Sequence, residues 1–271
     1  MAESEPSNMP KQGPARIEML DAIRGFALFG ILLMNLEAFN GPILGAIGGI
    51  DSGLQGLDYW TDALIYIFVQ GKFWTLFSLL FGIGFAVMVE GARVAGTDFE
   101  AFYRRRLFFL MLIGLAYLWL IWEGDILFSY ALAGFVLLGW YRSGSNFGLP
   151  GIVAWYCAPL LLLAGIGILS GTDPKADGHF DKELAEQVRI FGSGTYADVV
   201  RWRIGKFGQD LASMLFLLPM TVAMFALGVR FYRQGLAKPP VSADPAISRS
   251  GALIWCCGQL LMLLSVWIVP E

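Results

Sequence analysis

Residues 104–141 read RRRLFFLMLIGLAYLWLIWEGDILFSYALAGFVLLGWY, two apolar runs joined only by Glu123, Gly124 and Asp125. Each run is continuous rather than alternating, and each is about the length that crosses a bilayer as a helix. Barrel strands would be about ten residues long and would alternate apolar with polar. Hydrocarbon also demands that every backbone N–H and C=O be paired internally, which helices achieve within one segment. The tight hairpin at 123–125 makes the two runs antiparallel neighbours.

The same pattern extends in both directions. The 271 residues are 56% hydrophobic and only 15% charged, against about 25% charged in a soluble domain. A soluble fold of this length has no means of hiding that much apolar surface. The expected fold class is therefore all-α, a polytopic transmembrane helical bundle of about seven spans. Residues 1–15 are polar and read as a disordered tail. An N-terminal membrane bundle covers 16–170, with spans near 20–38, 73–89, 107–122, 125–141 and 150–169. A Gly-rich loop (39–57) and a half-polar aromatic helix (58–70) separate the first two. Residues 171–210 form a polar extracytoplasmic loop with some helical potential (KELAEQVRIF, YADVVRWRI), and 211–271 hold two further spans near 211–229 and 251–269. The abrupt apolar end, SVWIVPE, and the odd span count read as the start of a truncated C-terminal membrane domain.

Basic residues set the orientation. With the N-terminus cytoplasmic, Lys11, Arg16, Arg24, Arg93, Arg104, Arg105, Arg106, Arg142, Arg230, Arg233, Lys238 and Arg249 fall inside, and the short outer loops hold only Lys72. Tyr59, Trp60, Trp119, Trp122, Trp140, Tyr141, Trp155, Tyr156 and Tyr232 lie near span ends, where aromatic belts anchor helices. The net charge of −3 gives no electrostatic case for a nucleic-acid partner. Membrane lipids and a small molecule are the expected partners, and a homo-oligomer is compatible.

Cys157, Cys256 and Cys257 sit inside apolar segments as buried thiols, and His179 stands alone in a polar stretch, so no metal or other cofactor is expected. No phosphate-binding Gly loop, zinc-protease helix or nucleophile elbow occurs. GFALFG, FGIGF and AGIGI have the small-residue spacing of helices packed closely in lipid.

Polar groups within or beside the spans are costly and so carry the functional signal. Asp21 and Arg24 are i,i+3 neighbours, and Asn35 lies three turns further along the same stripe. They form either a polar seam lining a cavity or an interfacial ion pair with one interhelical amide. Lys72 and Ser78 stand at the outer end of the second span. Lys72 either snorkels to the interface or pairs with Glu123 and Asp125, and Asp125 also suits the N-cap of the following helix. The substrate-binding set is thus Asp21, Arg24, Asn35, Lys72, Ser78, Tyr117, Glu123 and Asp125. Arg104, Arg105 and Arg106 are assigned to lipid or anion contact.

RIEMLDAIRGFALFGILLMN, GKFWTLFSLLFGIGF, FYRRRLFFLMLIGLAYLWLIWEGDILFSYALAG and MFALGVRFYRQG resemble, in order, the YeiB family of bacterial inner-membrane proteins. The resemblance implies a multi-pass protein of the bacterial cytoplasmic membrane, with an association with transport of unassigned substrate. The N-terminal LDxxRGxA helix is also similar to that of transmembrane acyltransferases acting on envelope sugars or lipids. The family commonly has a histidine in a G-L-x-H context in the third span, where this chain has Tyr117. Tyrosine, with a pKa near 10, is a poor base at pH 7. The reading therefore leans to a non-enzymatic protein that binds or moves a small, anionic molecule. An acyltransferase-like enzyme and a structural or assembly component are the alternatives.

Overall fold

A computed structural model describes residues 18–40, 53–69, 71–144, 148–170 and 174–235. Those residues are helical without a strand. The helices are α1 (Glu18–Asn40), α2 (Leu57–Phe68), α3 (Lys72–Ala95), α4 (Phe99–Leu120), α5 (Leu127–Arg142), α6 (Leu149–Ser170), α7 (Pro174–Ser193) and α8 (Tyr196–Arg233). The expected span near 251–269, Cys256, Cys257 and the 1–15 tail lie outside the described residues.

Helix ends are specified locally. Asp98 accepts a hydrogen bond from the Ala101 N–H and opens α4. Thr195 and Asp198 form a reciprocal capping box that opens α8, satisfying donors the first turn leaves unpaired. Gly71 (φ 74°) and Gly96 (φ 66°) bracket α3, in a left-handed conformation that glycine adopts without steric cost.

The stretch 171–210, expected as a polar loop with helical potential, is mostly helix: α7 occupies Pro174–Ser193, and α8 begins at Tyr196. The physical reason is the capping box after Gly194, which restarts a helix within two residues of Ser193. At 38 residues, α8 is about 57 Å long, nearly twice the hydrocarbon thickness of about 30 Å. The apolar segment expected at 211–229 is only its second half.

Helix α8 is the axis of the bundle, packing against α3, α4, α5, α6 and α7, while α1 packs on α3. Its closest approach is to α3. A Cβ at Gly82 would lie 2.0 Å from the Phe225 carbonyl oxygen, and one at Gly228 would lie 2.1 Å from that of Leu79. The FGIGF run is thus a close-packing face. The second glycine of GFALFG, Gly30, likewise lies under the Phe73 ring. AGIGI does not behave this way: Cβ atoms at Gly165 and Gly167 would meet nothing within 4 Å. That glycine pair lies on the outward side of α6, away from the helix it packs against.

Three stretches of the described residues are long and apolar enough to cross a membrane: Leu57–Ala95, Leu149–Leu169 and Tyr196–Arg233. Their apolar side chains point outward as well as inward. In α6, Leu161 is 71% exposed and Ile168 83% exposed, which is the surface a lipid-facing helix presents.

Candidate functional site

The sequence places Arg24 among substrate-binding candidates and Arg106 in a separate surface cluster. The structure brings them together. Both line a cleft of about 470 Å³ between α1, α3 and α4. Arg24 is six residues past Glu18, Arg106 seven past Phe99, and Met88 seven before Ala95. At 1.5 Å per residue Arg24 and Arg106 lie about 10 Å from the N-termini of α1 and α4, and Met88 lies about 10 Å from the C-terminus of the antiparallel α3.

The two guanidinium groups have different surroundings. Arg24 donates from Nη1 to Asp21 Oδ1 at 3.1 Å, both side chains being half-exposed, as the i,i+3 spacing predicts. Arg106 donates from Nη1 to the Met88 Sδ at 2.7 Å and stands 5.9 Å from the centroid of the Phe81 ring. A thioether is a weak acceptor, and a ring face attracts a cation without carrying net charge. Neither neutralises the guanidinium. Among the described residues, the cleft lining holds two arginines and no carboxylate, with Asp21 beside it paired to Arg24. Paired guanidinium forks match carboxylate or phosphate oxygens.

Arg104, Arg105 and Arg106 are all exposed on α4, and of the three only Arg106 lines this cleft. Residues missed by sequence reasoning are Phe81, Gly84 and Met88. The available signal was their three- and four-residue spacing on α3. Gly84 has a specific part, since its Cβ would lie 3.0 Å from Arg24 Nη2. Its lack of a side chain makes room for the guanidinium.

Glu123 and Asp125 lie at the other end of α4, and their partners differ from the expected Lys72. The Gln187 side-chain amide donates to Glu123 Oε1. Arg203, Asp210 and Lys206 also act electrostatically on Glu123, and Lys206 pairs with Glu183. Burial pushes the Glu123 carboxyl above its usual range, with the nearby Arg203 charge opposing that shift. This knot ties α7 and α8 to the α4–α5 hairpin, an arrangement hidden as long as 171–210 reads as a loop. Asp125 instead accepts from the Leu127 and Phe128 N–H groups at 3.0 and 3.1 Å, so it caps α5.

The remaining candidates are dispersed. Ser78 is fully buried; its hydroxyl donates to the Trp74 carbonyl at 2.8 Å and lies 2.6 Å from the Tyr130 hydroxyl. That contact joins α3 to α5. Lys72 is half-buried at the first position of α3, while Asn35 and Tyr117 are half-buried on α1 and α4. None of these lines the Arg24–Arg106 cleft. Of the Asp21, Arg24 and Asn35 stripe, only Arg24 lines the cleft. Cys157 is a free, half-buried thiol.

No family model and no solved structure matches the chain. Among curated proteins, the chain is 35% identical over 200 residues to the uncharacterized protein YxaH of Bacillus subtilis (strain 168), covering 70% of this chain and 48% of that protein. It is 34% identical over 152 residues to the uncharacterized protein YeiB of Escherichia coli (strain K12), covering 55% of this chain and 36% of that one. A 39.9 kDa protein encoded beside an amylase in Bacillus acidopullulyticus is 34% identical over 127 residues, 47% of this chain and 34% of its own length. The chain thus spans half or less of the length of each relative. With the GKF…FGIGF and GDIL stretches in place on a helical, outwardly apolar scaffold, the chain belongs to the YeiB-like family of bacterial proteins.

Proposed function

We propose that this protein is a multi-pass component of the bacterial inner membrane that binds, and transports, a small anionic molecule through the cleft between Arg24 and Arg106. The supporting observation is the cleft itself: two guanidinium groups from different helices share it, and Arg106 has a thioether and a ring beside it. Arg106 is exposed at the mouth of the cleft, where its guanidinium is open to an incoming anion. A bound anion would supply a charged partner. The bundle has about seven spans with the N-terminus cytoplasmic, in line with the strong bias of basic residues to that side, and the cleft lies in the cytoplasmic half.

Thermal unfolding of the purified full chain in detergent tests the binding. Orthophosphate, sulfate and acetate, compared with chloride at matched ionic strength, are expected to raise Tm. Ligand at about 100 times its Kd stabilises by about 2.7 kcal/mol. Equal Tm in all four salts would remove the anion site. Counterflow of the stabilising anion in proteoliposomes tests transport, and absence of exchange would leave binding alone.

A further inference from the structure

Resting on the anion-binding reading, we infer that the ligand is amphiphilic: a single anionic head of the phosphate or carboxylate type carrying an aliphatic tail that lies along α3. The inference follows from the shape and lining of the cleft. Phe77, Leu80, Phe81, Gly84, Val87 and Met88 all line it, and their three- and four-residue steps put them on one face of α3. From Phe77 to Met88 is about 16 Å along the axis.

That face is polarised lengthwise. Arg24 approaches at Gly84, and Arg106 bonds Met88 and covers Phe81. The half from Phe77 to Phe81 is aromatic and aliphatic, and Leu28, also 53% exposed, closes it from α1. A small free anion would contact the cations and leave this half unused. A tail would bury it, while the head occupies the Gly84–Met88 end. Because α1 packs on α3 along the outwardly apolar side of the bundle, the cleft is placed for entry from within the bilayer.

Two sources carry this chemistry, a membrane phospholipid and a single-chain alkyl or acyl phosphate. The test titrates the detergent-solubilised full chain with orthophosphate, butyl, hexyl and octyl phosphate below their micellar concentrations. Dioctanoyl phosphatidic acid is the lipid arm and octanol the neutral control. Affinity is expected to rise roughly threefold to fourfold per methylene, as full burial of each group gives. Octanol should bind at least tenfold more weakly than octyl phosphate.

Arg106→Gln and Gly84→Val should each weaken octyl phosphate at least tenfold, the latter by crowding the Arg24 guanidinium without changing charge. Each variant is first checked for an unchanged elution volume and circular dichroism. Whichever of octyl phosphate and dioctanoyl phosphatidic acid binds more tightly identifies the source. Orthophosphate bound as tightly as octyl phosphate would overturn the amphiphile while leaving the anion site. Octyl phosphate bound equally by wild type and Arg106→Gln would overturn both.

Discussion

Gly82 and Gly228 hold the closest backbone approach among the described residues, because a Cβ at either would fall about 2 Å from a carbonyl oxygen of the facing helix. Gly228→Ala must push α8 off α3. It should cost at least the roughly 1–3 kcal/mol typical of an overpacked core, measured as a lower Tm. Ser78→Ala removes a buried hydroxyl that joins Trp74 to Tyr130. The Tyr130 hydroxyl keeps its bond to the Trp74 carbonyl, so the loss should be that of one ordinary hydrogen bond, about 1 kcal/mol. At this scale the sequence shows Asp21–Arg24 through spacing alone. It does not distinguish Arg106 from Arg104 and Arg105. Successive helical residues point about 100° apart, and only the position of α3 decides which of the three enters the cleft.

Among the elements, α5 and α7 depend most visibly on single side chains. Asp125→Ala leaves the Leu127 and Phe128 N–H groups without their acceptor. It should cost about 1 kcal/mol, the usual loss of a cap. Glu123 links α7 to the α4–α5 hairpin through Gln187, and its raised carboxyl pKa fixes the sign of a pH effect. The folded protein keeps this proton to higher pH than the unfolded chain does. The contribution is therefore complete below the ordinary value of 4.5 and is lost as pH rises through the folded value. Glu123→Gln should flatten the fall in Tm with rising pH in that acidic window; a slope unchanged from wild type would place Glu123 in water. Helices α1, α3, α4, α5 and α6 are legible as apolar runs, and α2 as the aromatic segment before Lys72. Helix α7 is legible only as helical potential in KELAEQVRIF, because its polar sequence carries no membrane-length signal.

For the whole molecule, a helical membrane protein follows from apolar surface that no fold of this size can bury, and outward leucines such as Leu161 agree with it. The anion cleft, in contrast, is assembled from α1, α3 and α4, so no single segment announces it. Sidedness has its own check: an alkaline phosphatase reporter inserted in the α7–α8 turn should be active, and one fused after Gly235 inactive. The reverse pattern would invert the bundle and put the cleft on the outer side. The central claim is that Arg24 and Arg106, rather than surface charge in general, hold the ligand. Its most direct measurement is the orthophosphate dissociation constant, at constant ionic strength, of wild type, Arg24→Gln, Arg106→Gln and Arg104→Gln. Losing a charge-assisted hydrogen bond of about 1.5–3 kcal/mol should weaken binding roughly tenfold or more in the first two variants, with Arg104→Gln close to wild type. Equal weakening by all three substitutions, or by none, would contradict it.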